Sequence, residues 1–449
     1  MPVKTTLAIL TFIGLILLPR VAPALKNYES FDPQNLRAVV DLPIPKSKDQ
    51  PENDPAKLAE AHTRLLEARA PANLSDPQHA LDHFYASLLK GGITRIVHYG
   101  DSPTTGDLIT ADTRAMLQKE FGDGGSGFVL IARPWAWYNH RGVEMEASDW
   151  KIGIAGIAAA KDGMHGLGGV SFVGSPGATA HWRLRNGFHD TIEIAYLSQP
   201  DGGAFAVDSD DKELGTVETA AETKAPGYAS FKIPRGATKF TVRVKQGTVR
   251  LYGAEFRKSA GVIYSSLGIN GANVTLLSKS FNERHWAAEL RHYKPDLVIV
   301  NYGTNESGFA EFVDKTWATE MKEVVRRIHA ALPETSILLM SPMDRGERTT
   351  GGEIDTVPVL PRLVNIESRV AHDTGAAFFN TYQAMGGQGT MGRWYTAEPR
   401  LVGADFIHPM PAGAKIVGEL LYNALRDGYN QYKLRQLKAT TTTTAFEEK

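Results

Sequence analysis

Arg95-Ile-Val-His-Tyr-Gly-Asp-Ser-Pro-Thr-Thr-Gly-Asp107 opens with a short apolar run, Ile96 to Tyr99, of the kind that forms a buried strand. It closes on a turn that feeds a helical pattern from about Asp107 to Phe121. Ser102 therefore falls at a strand-to-helix corner. A hydroxyl at such a corner projects past the sheet edge, and the backbone N–H groups that follow face any oxygen that becomes negative. Taken alone, Gly-Asp-Ser is an ordinary turn sequence, since these residues are the commonest turn formers. Its meaning depends on what the rest of the chain brings to the same edge.

The chain has 449 residues, enough for two to three domains that each bury a core. Its composition, 42% hydrophobic and 22% charged, is that of a globular protein, and a formal net charge of -1 gives no reason to expect nucleic acid as a partner. The absence of cysteine excludes disulfide scaffolds, thiolate metal sites and cysteine nucleophiles.

At the amino terminus Lys4 precedes an apolar run from Leu7 to Leu18, and Ala22-Pro-Ala24 follows as a small-x-small cleavage signal. The run is shorter than the roughly 20 residues that span a bilayer. Residues 1–24 are thus expected to be a secretory signal first and a membrane anchor second, with the protein body exported, periplasmic or extracellular. Residues 25–75, rich in Pro, Asp, Glu and Lys, are expected to be a linker with one short helix at Lys57 to Glu67. A second short helix around Pro77 to Leu89 would pack on the first strand.

After the helix that follows Ser102, Gly122-Asp-Gly-Gly-Ser-Gly127 lacks the spacing and terminal Lys-Ser/Thr of a phosphate-binding loop and is expected to be a flexible turn. The aromatic cluster Pro134-Trp-Ala-Trp-Tyr138 suits either a sugar cleft or, by preference, core. From about Glu146 to Lys258 helical periodicity disappears. Short alternating segments take its place: Val170–Val173, Thr179–Leu184, Thr191–Leu197, Ala204–Val207, Ala229–Ile233, Lys239–Val244 and Val249–Phe256. Turn residues separate them, so residues 146–258 are expected to be an inserted antiparallel β-sandwich. Such a module can grip a polysaccharide if Trp182, Tyr196 or Tyr228 is exposed; for any single ring, an inward core position is the preferred reading.

An α/β pattern then resumes, with strands at Val262–Leu267, Asp296–Tyr302, Ser336–Met340 and Ala376–Asn380. Helix-length segments stand at Trp286–His292, Phe312–Ala331, Pro358–His372 and Pro411–Arg426. Strands alternating with helices imply a mostly parallel sheet, whose reacting groups gather at the carboxyl ends of its strands. Residues 76–145 and 259–435 would be the two parts of that domain, and 436–449 a disordered tail.

Four loops converge on this edge: the Ser102 corner, Gly268-Ile-Asn-Gly271, Gly303-Thr-Asn305 and Asp405-Phe-Ile-His408. A hydroxyl needs a base to become a nucleophile, and a histidine needs a carboxylate to fix its tautomer. An Asp three residues before a His on a tight loop can reach back to the imidazole and leave the other ring nitrogen free for Ser102. Alone, the pair would more often be a helix-capping Asp and a surface His.

Together and in this order, the four stretches resemble the SGNH (GDSL-type) hydrolase superfamily. The resemblance implies a flavodoxin-like α/β domain with Ser102 as nucleophile, His408 as general base and Asp405 as its orienting partner. It further implies an oxyanion hole of the Ser102 and Gly271 N–H groups and the Asn305 side-chain amide, with no metal or cofactor. Three departures stand out. Pro103 offers no N–H beside the serine, the second loop leaves a choice between Gly268 and Gly271 that we make for Gly271, and Glu306 replaces the familiar Asp after the asparagine. The order of domains also resembles bacterial peptidoglycan O-acetylesterases, whose inserted module is similar to a carbohydrate-binding module.

The function expected on these grounds is an exported serine esterase that removes O-acetyl or other short acyl groups from a cell-envelope or extracellular polysaccharide. Rivals are a polysaccharide O-acyltransferase with the same triad and a non-catalytic polysaccharide-binding protein. A lipase-like enzyme is less favoured, because no long apolar lid segment is present.

Overall fold

The computed structural model describes residues 73–158 and 160–447, with side chains through 438. The expected signal or anchor at 1–24, the helix at Lys57 to Glu67 and nearly all of the linker lie outside the described residues. Among the described residues, no helix is long and apolar enough to cross a membrane.

The central sheet contains β1 (Leu74–Ser75), β2 (Ile93–Gly100), β3 (Gly261–Gly268), β4 (Leu297–Asn301), β5 (Ser336–Met340) and β6 (Ala377–Phe379). Their spatial order is β1-β6-β5-β4-β2-β3. The five strands from β2 to β6 are parallel, and β1 closes one edge antiparallel to β6. Leu74 and Ser75 therefore belong to the sheet, which corrects the expected linker at its last two residues. Spatial order places β2 between β3 and β4, so the chain steps from β2 to β3 on one side and then crosses back over β2 to β4 on the other, and a crevice opens beyond the carboxyl end of β2. Gly100 is in register with Gly268 on one side and Asn301 on the other. The three loops that follow these residues thus begin at one level.

Alternation along the strands makes the two faces of the sheet. On one face Val97, Tyr99, Val298, Val300, Ile337 and Leu339 pack under α4 (Glu283–Tyr293), α5 (Ala318–Ala331) and α6 (Leu360–Thr374). On the other, Ile96, Tyr264, Leu297, Ile299, Leu338 and Met340 pack under α1 (Asp82–Lys90), α3 (Ile109–Phe121) and α7 (Pro411–Glu447). Between Phe312 and α5 the chain makes a π-helical turn, Val313–Trp317, in place of the continuous helix expected from Phe312. Helix α7 runs through most of the tail expected to be disordered, because no Gly or Pro after Gly428 interrupts it.

Between β2 and β3 lies the antiparallel sandwich. One sheet is ordered Lys212–Glu218, Ala204–Ser209, Lys239–Gln246, Thr179–Leu184, Val143–Ser148; the other is ordered Ala225–Lys232, Thr191–Ser198, Val249–Arg257, Val170–Gly174, Lys151–Ile154. The second sheet gains Gly125–Leu130, which pairs with Val249–Arg257. This corrects the turn expected at Gly122–Gly127, whose second half is strand. The glycines there are required by close backbone approach: a Cβ on Gly125 would lie 2.5 Å from the carbonyl oxygen of Phe256. The antiparallel sheets also begin at Val143, ahead of the segment expected from position 146.

The sandwich shares a continuous core with one face of the α/β sheet. Trp286 on α4 donates its indole N–H to Tyr99 Oη at 2.9 Å, and Tyr99 donates in turn to the Leu167 carbonyl at 3.0 Å. Glu193 of the sandwich bonds His292 of α4 at 2.7 Å, and Tyr228 stacks on the same imidazole with ring centroids 3.4 Å apart. Trp182 is buried, and Tyr196 packs edge-on against Phe205. Trp182, Tyr196 and Tyr228 are thus engaged in internal packing. The Pro134–Tyr138 cluster divides: Tyr138 is core, whereas Trp137 is 58% exposed.

Candidate active site

Ser102 opens a single-turn helix, α2 (Ser102–Thr105), immediately beyond β2. Two glycines let that turn sit against the strand ends. A Cβ on Gly100 would lie 2.1 Å from Thr104 Oγ1, and one on Gly268 would lie 2.4 Å from the Thr105 nitrogen. Behind the serine, Asp107 takes a positive φ of 51° and holds Arg114 through two hydrogen bonds of 3.0 and 2.6 Å. Burial would raise the Asp107 carboxyl, but the Arg114 and His140 charges and the Arg141 N–H hold it far below the usual carboxylate range. This buried pair fixes the start of α3 and hence the corner.

The histidine arrives on a loop that folds back on itself. Asp405 Oδ1 accepts from the backbone N–H groups of Ile407 and His408 at 3.0 and 3.1 Å, and Phe406 between them adopts a φ of 58°. A left-handed conformation at a non-glycine residue is strained, and the surrounding structure must over-determine it. The Phe406 ring is nearly buried, with Tyr395 edge-on at 4.9 Å, and its carbonyl accepts from Gly346 at 2.9 Å. Asp405 Oδ2 is thereby left 2.6 Å from His408 Nδ1. A carboxylate can only accept, so Nδ1 carries the proton and Nε2 is the acceptor. Ser102 Oγ donates to that Nε2 across 2.8 Å. Burial would raise the Asp405 carboxyl, but the His408 hydrogen bond and the two N–H donors hold it below its ordinary value.

Opposite the serine, the loop after β4 presents Asn305, whose Nδ2 donates to the Ala272 carbonyl at 2.7 Å. That bond uses one amide hydrogen and orients the other. Gly271, at φ 74°, lies on the cavity wall with Ser102, Asn305 and His408, whereas Gly268 is the last residue of β3 and packs against α2. The structure therefore brings together Ser102, Asp405, His408, Gly271 and Asn305. The cavity they open into has a volume of about 430 Å³. The Asp405 and His408 side chains beside it are 48% and 46% exposed.

Sequence reasoning gave several residues at this site no role. Glu306 is buried and its carboxylate accepts from the Val274 N–H at 2.8 Å, the Gly303 N–H at 3.1 Å and the Trp317 indole at 3.3 Å. It ties the second loop to the third. Asp101 is also buried; burial first, and then the Glu306 charge, push its carboxyl up to about 8, against hydrogen bonds from Thr304. Phe309 and Arg345 complete the cavity wall.

Residues 235–416 match the GDSL-like Lipase/Acylhydrolase family. The matched segment holds Gly271, Asn305, Asp405 and His408; Ser102 lies outside it, on the far side of the sandwich. No curated protein matches the chain. Among solved structures, one described as "Peptidoglycan O-acetylesterase in action, 5 min" superposes with a TM-score of 0.68 at 23% identity, over 80% of this chain and 100% of that one. A family two carbohydrate esterase from Clostridium thermocellum in complex with cellohexaose matches at a TM-score of 0.27 and 13% identity, over 57% of this chain and 93% of that one. With the fold and the match of residues 235–416 in agreement, the chain has the fold of the SGNH (GDSL-type) serine ester hydrolases, with an antiparallel β-sandwich inserted between the strand that leads to Ser102 and the strand that leads to Gly271.

Proposed function

We propose that this hydrolase is an exported esterase that removes O-acetyl groups from a cell-envelope polysaccharide, with peptidoglycan as the leading substrate. The observation that carries the reading is the continuous hydrogen-bonded line from Asp405 through His408 to Ser102, facing Gly271 and Asn305 across one cavity. In the reaction Ser102 Oγ attacks the ester carbonyl carbon while His408 Nε2 takes the hydroxyl proton. The carbonyl oxygen, now negative, is received by the Ser102 and Gly271 N–H groups and the Asn305 amide. Collapse expels the sugar oxygen, which takes the proton from His408, and leaves acetyl on Ser102. Water deprotonated by His408 then attacks the acetyl carbon and releases acetate.

Hydrolysis is favoured over transfer by the half-exposed His408 and Asp405, which sit where water reaches the acyl-serine freely. The choice of glycan is supported by the likeness in fold to the peptidoglycan O-acetylesterase. Export is supported by the apolar run from Leu7 to Leu18 and the Ala22-Pro-Ala24 signal.

The test is acetate release from O-acetylated peptidoglycan, measured beside acetyl transfer to an oligosaccharide acceptor, together with fluorophosphonate labelling of Ser102. Acetate without transfer supports the reading. Transfer in excess of acetate would make the protein an acyltransferase, and an unlabelled Ser102 would leave it a binding protein.

A further inference from the structure

Resting on the esterase reading above, we infer that the mouth of the catalytic cavity is a subsite for a carboxylate-bearing sugar, with the sugar ring on Phe309 and its carboxylate on Arg345.

Arg345 follows β5 and reaches the cavity wall beside Ser102, Asn305 and His408. Its Nη1 donates to the Thr304 carbonyl at 2.9 Å and to Ser307 Oγ at 3.2 Å, which sets the guanidinium against the turn that carries Asn305. A guanidinium has five N–H donors, and its planar fork matches a carboxylate. Other partly or fully buried arginines of the fold hold one: Arg95 pairs with Glu255, Arg114 with Asp107, Arg250 with Asp162, Arg257 with Glu193 and Arg327 with Glu323. Among the described residues Arg345 has no carboxylate within ion-pair distance: Asp344 accepts from the Thr356 hydroxyl and the Met391 N–H, Glu306 from the Val274, Gly303 and Trp317 N–H groups, and Asp405 is committed to His408. Removing a cation from water without a counter-charge is unfavourable, so this position favours an incoming anion.

Two further cations flank the histidine loop. The Arg348 guanidinium lies 5.2 Å from the centroid of the Phe406 ring, and that of Arg400 lies 4.3 Å from the centroid of Tyr395, which itself contacts Phe406. Neither is paired with a carboxylate among the described residues. A chain of net charge -1 thus carries three arginines without carboxylate partners on the cavity wall and beside the rings that support the histidine loop, an arrangement that favours anionic substrates. Phe309, on the same wall, is 67% exposed, a large apolar ring left in water beside the reacting groups. A sugar stacked on it would cover that surface with its C–H face.

The experiment compares acetate release by the full-length protein from O-acetylated peptidoglycan glycan strands freed of their stem peptides, before and after the exposed sugar carboxylates are amidated, with p-nitrophenyl acetate as the small neutral ester. The wild type is expected to prefer the carboxylated polymer. Arg345→Gln should lower kcat/KM on that polymer by about tenfold to a hundredfold, the range of a charge-assisted hydrogen bond, and bring the two polymers to equal rates. Arg345→Lys should keep part of the preference, and added salt should erode it. Phe309→Ala should weaken both polymers more than p-nitrophenyl acetate. An Arg345→Gln loss of equal size on all three esters would mean that the side chain only tethers the Asn305 turn, and the subsite would be wrong. Turnover of p-nitrophenyl acetate with equal rates on the two polymers overturns this inference alone, whereas its turnover with none on either polymer overturns the choice of peptidoglycan as well. A wild type inert toward every ester overturns the esterase reading with it.

Discussion

Ser102 Oγ and His408 Nε2 stand 2.8 Å apart, although 306 residues separate them along the chain. Their meeting depends on a four-residue helical turn at one end and a strained reversal at Phe406 at the other. The consequences of this geometry can be measured.

Ser102→Ala and His408→Ala should each lower turnover of p-nitrophenyl acetate on the order of 10⁴-fold or more, since the two act as one unit. Asp405→Ala should cost less, about a hundredfold, because its half-exposed position lets water solvate part of the imidazolium charge. Melting temperatures should stay close to the wild type for Ser102→Ala. Full activity in Ser102→Ala would rule out the proposed nucleophile.

Asn305→Ala should reduce kcat by about 100-fold to 1,000-fold, the usual cost of one oxyanion donor. The bond from Asn305 to the Ala272 carbonyl ties this residue to the Gly271 loop. If KM rises and kcat does not change, Asn305 binds substrate in its ground state and is no oxyanion donor.

Glu306→Gln tests the tie between the two oxyanion loops. The carboxylate accepts three hydrogen bonds on two oxygens, whereas an amide has one acceptor oxygen and would turn an N–H toward Val274 or Gly303. Stability should fall by about 1–3 kcal/mol, the cost of a buried group left without a partner. Thermal melting reads this, and kcat should fall alongside as Gly271 loses its fixed position. An unchanged melting temperature with unchanged kcat would show that the loops hold without Glu306.

Asp101 gives a pH signature. Its carboxyl is pushed up from 3.8 to about 8 in the fold, chiefly by burial and then by Glu306. Below about pH 4 it is protonated in both folded and unfolded chains, and the folded state suffers no penalty. Between there and about pH 8 the folded chain keeps a proton that the unfolded chain has released, so this group's contribution to stability falls as pH rises and levels off above 8. Asp101→Asn removes the titration. Its gain in melting temperature over the wild type should be small at pH 4 and grow toward a plateau above pH 8. Parallel profiles for the two proteins would show that Asp101 ionises normally.

Much of this site was legible in the chain because the chemistry sits in short motifs whose meaning is local. Gly100-Asp-Ser102, Gly303-Thr-Asn305 and Asp405-x-x-His408 each bring a turn and a functional group together within a few residues, and strand β5 was read with its observed bounds, Ser336 to Met340. Glu306 was visible only as a substitution beside a motif, because its three donors come from Gly303, Val274 and Trp317 on different loops. Arg345 and Phe309 carried no signal, since an arginine after a strand and a phenylalanine after a turn are common. What marks them is a missing counter-ion and an uncovered ring at one cavity wall. Gly125 to Gly127 was misread because glycine-rich sequence signals a turn locally, while its strand state is imposed by pairing with Val249–Arg257 more than a hundred residues away.

By itself the sequence determined the alternation of strand and helix, the interruption by an antiparallel module and the identity of the reacting groups, because hydrophobic period and turn chemistry act over a few residues. Only the tertiary structure decided that Gly100, Gly268 and Asn301 end in register, that Phe406 turns His408 back toward Ser102, and that Arg345 is left without a counter-ion. Such relations depend on contacts between distant segments, whose free energies are realised only when the whole sheet and its shared core have formed.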